Sequence, residues 1–267
     1  MNELCLFAGA GGGSIASKWL LGWDTVCYVE WDKYCQQVLQ ARIRDGLLDD
    51  APIWDDVRTF DGRPWRGCVD IIIAGFPCQP FSVAGKRKGA DDERNMWPDT
   101  IRIIREVQPR YAFLENVPGL LVSGYFGTVL GDLAASGHDI RWRCLSAAEV
   151  GAPHRRDRLW IVADAKQNSC TCTARQRRVE TLGKAKAGFQ NGAEQFQSGL
   201  KTRNGSGWIS EPDVGRVANG VASRVDQLKA LGNGQVPQVV AKAWELLTVS
   251  IHAPARGATT GIRPGTP

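Results

Sequence analysis

The sequence has no long apolar segment. No run approaches the 18 apolar residues from which a membrane-spanning helix could be built. The N-terminus also lacks a basic stretch followed by an apolar one, which is the pattern of a secretory signal. These absences argue against a membrane-bound or secreted protein, and we expect a cytoplasmic one with no membrane partner.

Closely paired cysteines are scarce as well. The chain has eight cysteines, scattered through mostly apolar segments. Cys170 and Cys172 form the one close pair, and neither a second pair nor a nearby histidine completes a tetrahedral zinc site. We therefore expect free thiols in a reducing compartment, without a disulfide framework or a metal centre.

Acidic residues are nearly missing from residues 165–210. Only Glu180 and Glu194 fall there, against eight Lys and Arg residues, so the segment carries +6 while the whole chain carries only +5. A local excess of positive charge is what a phosphate-binding surface requires. A solvated loop rich in Lys and Arg would have the same composition, so both interpretations stay open.

The first half of the chain alternates short apolar runs with helical patterns, which predicts a doubly wound α/β sheet. Strands are predicted at Leu4–Phe7, Thr25–Val29, Val69–Ala74, Tyr111–Glu115, Asp139–Leu145 and Leu159–Ala163. Helices are predicted at Gly13–Leu21, Lys33–Arg44, Pro98–Val107, Gly124–Ser136 and Val236–Val249, the last beginning at Pro237. Large aliphatic residues nearly vanish after residue 164, which predicts a separate module there.

A glycine-rich turn, Phe7–Ser14, follows the first predicted strand and opens a helix. Glycines let the backbone approach a ligand, and a helix N-terminus offers N–H groups to a carboxylate or phosphate. Glu30 ends the second strand about 20 residues later, where an acid can accept from both ribose hydroxyls. Trp31 beside it can pack on a purine face. These residues alone fit a dinucleotide as well as S-adenosylmethionine.

A cysteine stands between two prolines directly after a buried strand, in Gly-Phe-Pro-Cys-Gln-Pro-Phe-Ser at residues 75–82. Pro77 and Pro80 fix φ near −65° and withhold an N–H, so this loop is stiff. A stiff loop at the carboxyl end of a strand is a suitable position for Cys78 as a nucleophile. A lone cysteine is otherwise more often a small buried hydrophobe.

This octapeptide resembles the nucleophile motif of the cytosine-C5 DNA methyltransferases. Further segments resemble motifs of that family in the same order, and the resemblance spans residues 4 to 249. They are Phe7–Ser14, Glu30–Asp32, Asp55–Val57, Glu115–Val117, His154–Arg158 and Leu231–Pro237. The implied fold is a Rossmann-like methyltransferase sheet of seven strands, mixed in direction, with helices on both faces and a small target recognition lobe.

The resemblance implies S-adenosylmethionine as the cofactor. Asp56 matches the acid that binds the adenine amino group, and residues 231–237 match the segment that closes over the methionine moiety. The residues implied to bind the cofactor are Phe7, Gly9, Gly11, Gly12, Glu30, Trp31, Asp56, Val57, Pro77, Asn233 and Gln235.

The chemistry implied by the family is covalent. The Cys78 thiolate would attack C6 of cytosine, so that C5 can take the methyl group. Glu115, followed by Asn116 in the same motif, would supply a proton at N3, which burial would favour. Arg158 would reach the cytosine O2 and keep Cys78 ionised, while Arg156 would support its loop and the phosphates. The base that removes the C5 proton is not identifiable from the sequence.

These groups reach a cytosine only after it is flipped out of a duplex, so the implied partner is double-stranded DNA. Residues implied to contact it are Gln79, Ser82, Arg175, Arg177 and Arg178. A short interval at residues 165–213 would be the target recognition region, as in compact phage and prophage enzymes of bacterial cells. A cognate restriction endonuclease acting separately is a further expected partner.

Changes in composition and apolar periodicity predict the remaining domain boundaries. Residues 1–164 and 214–249 would form the catalytic and cofactor-binding domain, and residues 250–267 a disordered tail.

Two other functions stay open. One branch of the family methylates a cytosine in tRNA, with a recognition insert that we do not see here. A DNA-binding relic without turnover would predict a damaged nucleophile or Glu-Asn-Val motif, and both are intact.

Overall fold

A mixed β-sheet organises the chain, in a computed structural model that describes residues 1–77, 95–165 and 223–248. Its strands are β1 (Asn2–Leu6), β2 (Asp24–Val29), β3 (Ile53–Trp54), β4 (Ile71–Ala74), β5 (Tyr111–Asn116), β6 (His138–Leu145) and β7 (Arg158–Ala165). They lie in the order β3-β2-β1-β4-β5-β7-β6. β7 runs antiparallel to both of its neighbours, β5 and β6, and the remaining neighbouring strands of the described sheet are parallel. The expected seven-stranded α/β fold is confirmed.

Helices cover both faces of this sheet. They are α1 (Gly12–Ala16), α2 (Lys33–Arg44), α3 (Trp97–Val107), α4 (Phe126–Ala135), α5 (Arg224–Asn233) and α6 (Pro237–Thr248). Side chains of α3 and α4 form the core on one face, and side chains of α1, α2 and α6 form the core on the other. All four residues of β4 are buried because both faces are covered, which explains why this strand is a continuous apolar run.

Two elements were not predicted, and one helix differs from its prediction. β3 has two residues, too few to show an alternating pattern. α5 buries only Ala230, so it has no apolar face that a periodicity could reveal, and it continues through Gly232 and Asn233. The helix predicted at Gly13–Leu21 is α-helical only to Ala16 and then widens into a π-helix at Ser17–Leu21.

Several predictions fall outside the described residues. These include the recognition region, apart from Ala165, and the tail at residues 250–267. No helix in the described ranges is long and apolar enough to cross a membrane. In the same ranges, no group of three or more His, Cys, Asp and Glu residues could hold a metal ion.

The strand directions bring one edge of the sheet together. The carboxyl ends of β1, β2, β3, β4 and β5 meet there, and because β7 is antiparallel, its first residue lies at the same edge. Ligands of open α/β sheets bind outside the carboxyl ends of the strands. This edge is therefore where the predicted site residues converge.

A carboxyl group is completely buried on β1, beneath the first helix. The hydroxyls of Ser14 and Thr25 donate to Oε1 of Glu3 over 3.4 and 3.1 Å, whereas Oε2 has no partner among the described residues. Burial raises the pKa of Glu3 from 4.5 to about 7, against the lowering effect of the neighbouring hydroxyls. Folding therefore disfavours the ionised form of this side chain.

Replacing this carboxyl should change how stability depends on pH. Because the pKa of Glu3 is raised on folding, ionisation of this side chain lowers the free energy of unfolding. The contribution of Glu3 to stability is fully present below pH 4.5 and is lost as the pH rises through about 7. The loss corresponds to about 3 kcal/mol. We expect Glu3→Gln to remove most of this decline, as measured by urea denaturation at about pH 5 and about pH 8.

A glutamate on the surface provides the control. Glu245 on α6 is exposed and, among the described residues, pairs with Lys242 at 3.0 Å, so Glu245→Gln should leave the decline unchanged. A Glu3→Gln variant whose stability falls with pH as steeply as that of the wild type would contradict the interpretation.

Candidate active site

A narrow cleft lies at the carboxyl edge of the sheet, between β1, β4, β5 and the α5–α6 turn. It is lined by Cys5, Leu6, Phe7, Ala8, Gly9, Gly13, Ile73, Gly75, Glu115, Asn233, Gly234 and Gln235. Residues from four separate predicted motifs thus face one space. The structure places the glycine-rich turn, the beginning of the nucleophile loop, the Glu-Asn-Val motif and the C-terminal motif side by side.

The glycine-rich turn approaches the C-terminal segment closely. Gly11, the residue before α1, has φ of +87°, a backbone conformation that residues with a side chain rarely adopt. A Cβ atom on Gly12 would overlap the backbone carbonyl of Gln235, and one on Gly13 would overlap its side chain. The glycines are therefore required by packing within the protein, independently of any ligand.

Glu30 is held by the backbone at the end of β2. Its Oε2 accepts from the N–H of Gly9 and its Oε1 from the N–H of Asp32, each over 2.7 Å. Burial raises the pKa of Glu30, although these two N–H groups oppose the rise. A carboxylate oxygen can accept more than one hydrogen bond, so both oxygens keep capacity for a ligand's hydroxyl groups.

Trp31, Asp56 and Val57 lie beside Glu30 at the same edge. The Trp31 ring is 66% exposed, and Val57 is buried. Two guanidinium groups contact the turn after β3: Arg58 pairs with the Asp56 carboxylate and lowers its pKa, and Arg102 donates to the Val57 carbonyl over 2.9 Å. An exposed aromatic face and an acid thus stand next to the held carboxylate.

The Glu115 carboxyl is paired with Arg158. The Nε of Arg158 lies 2.8 Å from Oε1 of Glu115, and both side chains are largely buried. Burial raises the pKa of Glu115 above its ordinary value, although Arg158, Arg156 and a hydrogen bond from the Gln235 amide each lower it. A buried carboxyl with a raised pKa is suited to hold and deliver a proton.

Asn116 connects β5 to the segment that leads to the predicted nucleophile. It is 3% exposed, and its Nδ2 donates to the Phe76 carbonyl over 3.2 Å. Its Oδ1 accepts from the N–H of Val117 over 2.8 Å. Pro77 ends this segment of the described chain. The structure thus gives Asn116 a positioning contact, whereas the prediction placed it with the catalytic groups.

Other predicted residues cannot be placed. The catalytic Cys78 and the DNA-contact residues lie outside the described residues, the latter being Gln79, Ser82, Arg175, Arg177 and Arg178. Their roles stay predictions.

Arg156 joins the loop before β7 to the C-terminal motif. Its backbone has φ of +39°, and its Nη2 donates to the carbonyls of Gly232 and Gly234, the former over 2.8 Å. This contact supports both loops. The predicted contact of Arg156 with phosphates is a separate matter and stays a prediction.

Three residues whose side chains contact the site were not predicted from the sequence: Arg58, Arg102 and Lys229. Lys229 on α5 lies 2.6 Å from Oδ2 of Asp32, whose Oδ1 caps the N-terminus of α2. Lys229 and Asp32 are far apart in the sequence, so no local pattern announces their contact. The spacing of two residues between Asp56 and Arg58 is visible in the sequence. The same spacing occurs in the exposed Asp61–Arg63 pair, so it does not by itself indicate a site.

Comparison with solved structures identifies the class of protein. A prophage-encoded protein of E. coli, assigned as a DNA modification methyltransferase, matches with a TM-score of 0.51 and 27% identity, over 62% of this chain and 47% of that one. A variant of DNMT2 from Spodoptera frugiperda matches with a TM-score of 0.52 and 22% identity, over 64% of this chain and 52% of that one, which bears on the fold alone. The fold is that of the Rossmann-like methyltransferases.

Sequence comparison then identifies the family. The model of the C-5 cytosine-specific DNA methylase family matches residues 1–211, most of the chain. The chain belongs to this family, as its motifs predict. It is 36% identical over 164 residues to the type II methyltransferase M.NgoMIV of Neisseria gonorrhoeae, covering 60% of this chain and 50% of the relative.

A second relative gives a similar result. The type II methyltransferase M.HhaI of Haemophilus parahaemolyticus is 32% identical over 161 residues, which cover 59% of this chain and 47% of the relative. The chain therefore spans about half the length of these two curated relatives.

Proposed function

We propose that this protein is a DNA (cytosine-5-)-methyltransferase that uses S-adenosylmethionine as the methyl donor and acts on double-stranded DNA. The observation that carries the proposal is the Glu115–Arg158 pair, which lies beside Gly75 at the beginning of the nucleophile loop. A Cβ atom on Gly75 would be 3.0 Å from Oε2 of Glu115, so the carboxyl and this loop are in contact distance.

The described residues fit an adenosyl cofactor. Glu30 has its two oxygens oriented by backbone N–H groups and can still accept from ribose hydroxyls. Trp31 offers an exposed aromatic face for the purine, and Asp56 offers an acceptor for its amino group. When bound, the cofactor supplies an electrophilic methyl group. Gln235 and Asn233 line the cleft where its amino-acid end would lie.

The chain's own groups divide the chemistry between them. Attack by the Cys78 thiolate on C6 of the cytosine forms a carbon–sulfur bond and places negative charge on the ring. Glu115 holds a proton near N3, because burial favours its neutral form. Arg158 stabilises charge at O2 and holds the carboxyl in position through the contact of its Nε with Oε1 of Glu115 at 2.8 Å. C5 then takes the methyl group, with S-adenosylhomocysteine as the leaving group, and removal of the C5 proton breaks the carbon–sulfur bond and releases the thiolate.

Replacing the nucleophile should abolish methyl transfer. We expect DNA from cells expressing the wild type to contain cytosines that resist bisulfite conversion, and DNA from cells expressing Cys78→Ser to contain none. The control is Cys68→Ser, since Cys68 is an exposed cysteine that precedes β4 and therefore lies at the edge of the sheet opposite the carboxyl edge. It should methylate like the wild type.

The outcomes separate the alternatives. Methylation by Cys78→Ser would contradict the covalent mechanism. Wild-type protein that modifies RNA but not DNA would support the tRNA branch, and wild-type protein that modifies neither would identify a relic.

Replacing the ribose acid should weaken cofactor binding. Glu30→Ala removes a charged acceptor of two hydroxyls, so we expect a loss of roughly 1–3 kcal/mol in the affinity for S-adenosylhomocysteine, measured by calorimetry. Asp70→Ala is the matched control, because Asp70 likewise accepts from a backbone N–H, that of Asn2, over 2.9 Å, at the opposite edge of the sheet. Equal affinities for the two variants would show that Glu30 does not bind the ribose.

Replacing the basic cluster tests the interaction with DNA. If residues 165–210 bind phosphates, changing Arg175, Arg177 and Arg178 to Ala should weaken DNA binding across all sequences. The slope of log affinity against log salt should flatten by up to about 0.9 for each phosphate that the variant no longer neutralises. Filter binding at several salt concentrations measures this slope, and cofactor affinity should not change. An unaltered slope would favour a solvated cluster. The contact with DNA would then be expected at the basic residues Lys86–Lys88, which follow the nucleophile motif in the sequence.

A further inference from the structure

Arg58 lies on the two groups that the proposed function reserves for the adenine ring. Its guanidinium carbon is 5.1 Å from the centre of the Trp31 ring, a cation–π distance. Its Nε lies 3.0 Å from Oδ1 and its Nη2 2.9 Å from Oδ2 of Asp56. One side chain thus lies over one face of the aromatic ring and pairs with both oxygens of the acceptor.

The guanidinium resembles the amino edge of adenine in shape and hydrogen bonding. Both are planar, both present N–H donors in the plane to a carboxylate, and both stack on an indole ring. Trp31 and Asp56 therefore cannot serve Arg58 and an adenine in the same way at once.

The turn that carries Arg58 is fixed, but its side chain is not. The backbone N–H of Arg58 donates to Oδ1 of Asp56 over 3.0 Å, and the Arg102 guanidinium donates to the Arg58 carbonyl over 3.3 Å. The Arg58 side chain is about half exposed. Exposed ion pairs and exposed cation–π contacts are weak, so an incoming ring can displace the guanidinium without disturbing the turn.

We propose that Arg58 is an internal competitor of the cofactor, which occupies the adenine subsite in the unliganded protein and leaves when the adenine binds. This inference rests on the proposed function. Its consequence is a lower affinity for every adenosyl ligand, the methyl donor and the demethylated product alike, and therefore faster release of the product.

A second pair in the chain provides a matched control. Arg63 pairs with Asp61 at the same spacing of two residues, with Nε 2.8 Å from Oδ1 and Nη2 3.0 Å from Oδ2. Within the part of the chain that the structure describes, the cation–π contacts involve Lys18, Arg58 and Arg110 and not Arg63. Arg63→Ala therefore removes the same kind of ion pair without uncovering an aromatic face.

Calorimetry with S-adenosylhomocysteine tests the proposal. We expect Arg58→Ala to bind it about three- to tenfold more tightly than the wild type, the range that corresponds to removing one exposed ion pair and one exposed cation–π interaction. Arg63→Ala should bind it like the wild type. Equal or weaker binding by Arg58→Ala, while the wild type binds, would overturn the inference and leave the proposed function standing. A wild type that does not bind at all would overturn both.

A double-mutant cycle shows whether the effect passes through the aromatic face. In a Trp31→Ala background, Arg58→Ala should tighten binding less than it does in the wild type, because the aromatic ring that Arg58 contacts is absent. The same gain in both backgrounds would overturn the competition at Trp31. Thermal denaturation of each variant verifies that the fold is retained.

Discussion

The antiparallel pairing of β7 with β5 is the constraint on which the site depends. If β7 ran parallel to β5, Arg158 would lie at the opposite edge of the sheet, because it is the first residue of its strand. The reversal brings its guanidinium to within 2.8 Å of the Glu115 carboxyl. A largely buried ion pair is weak evidence of stabilisation, since desolvation offsets the attraction between its charges. Its position at the ligand-binding edge is better explained by chemistry than by stability.

The C-terminal segment completes the edge from the other side. Gln235 packs against Gly12 and Gly13 with no room for a side chain on either glycine, and its amide donates to Glu115. Lys229 and Asp32 join α5 to α2, and Arg156 holds the turn between α5 and α6. The segment between α5 and α6 thus contacts both the glycine-rich turn and the Glu115 carboxyl. Loosening this segment would disturb both, although neither lies near it in sequence.

The sequence predicted the elements whose local signals are strong. The helix Lys33–Arg44 has its predicted bounds, because Asp32 caps its first turn. The apolar runs of β4 and β5 identify strands covered on both faces. β3 and α5 were missed for opposite reasons, one being too short for a pattern and the other too exposed to have one.

The site was predictable only in part, for a related reason. Family resemblance predicted which segments meet at the cleft, but a motif does not show what a side chain contacts in the folded chain. The hydrogen bond from Arg102 to the Val57 carbonyl joins residues that are 45 positions apart in the sequence. The contact of Arg58 with Trp31 joins the segments that follow two different strands, β3 and β2. Contacts of this kind depend on how the strands are placed beside one another, which the order of motifs does not specify.

The acids at this edge are controlled in three different ways. Glu30 is held by two backbone N–H groups, Asp56 by a guanidinium in a solvated turn, and Glu115 by burial against a guanidinium. Backbone N–H groups fix the Glu30 carboxyl and favour its ionised form against the burial that raises its pKa, and an exposed partner can be exchanged for a ligand. Burial favours a carboxyl that keeps a proton. Along the edge, in the order of the strands, the acids are thus Asp56 with its exposed partner, Glu30 with its backbone donors and Glu115 with its buried guanidinium, and Asn116 connects β5 to the segment that leads to Cys78.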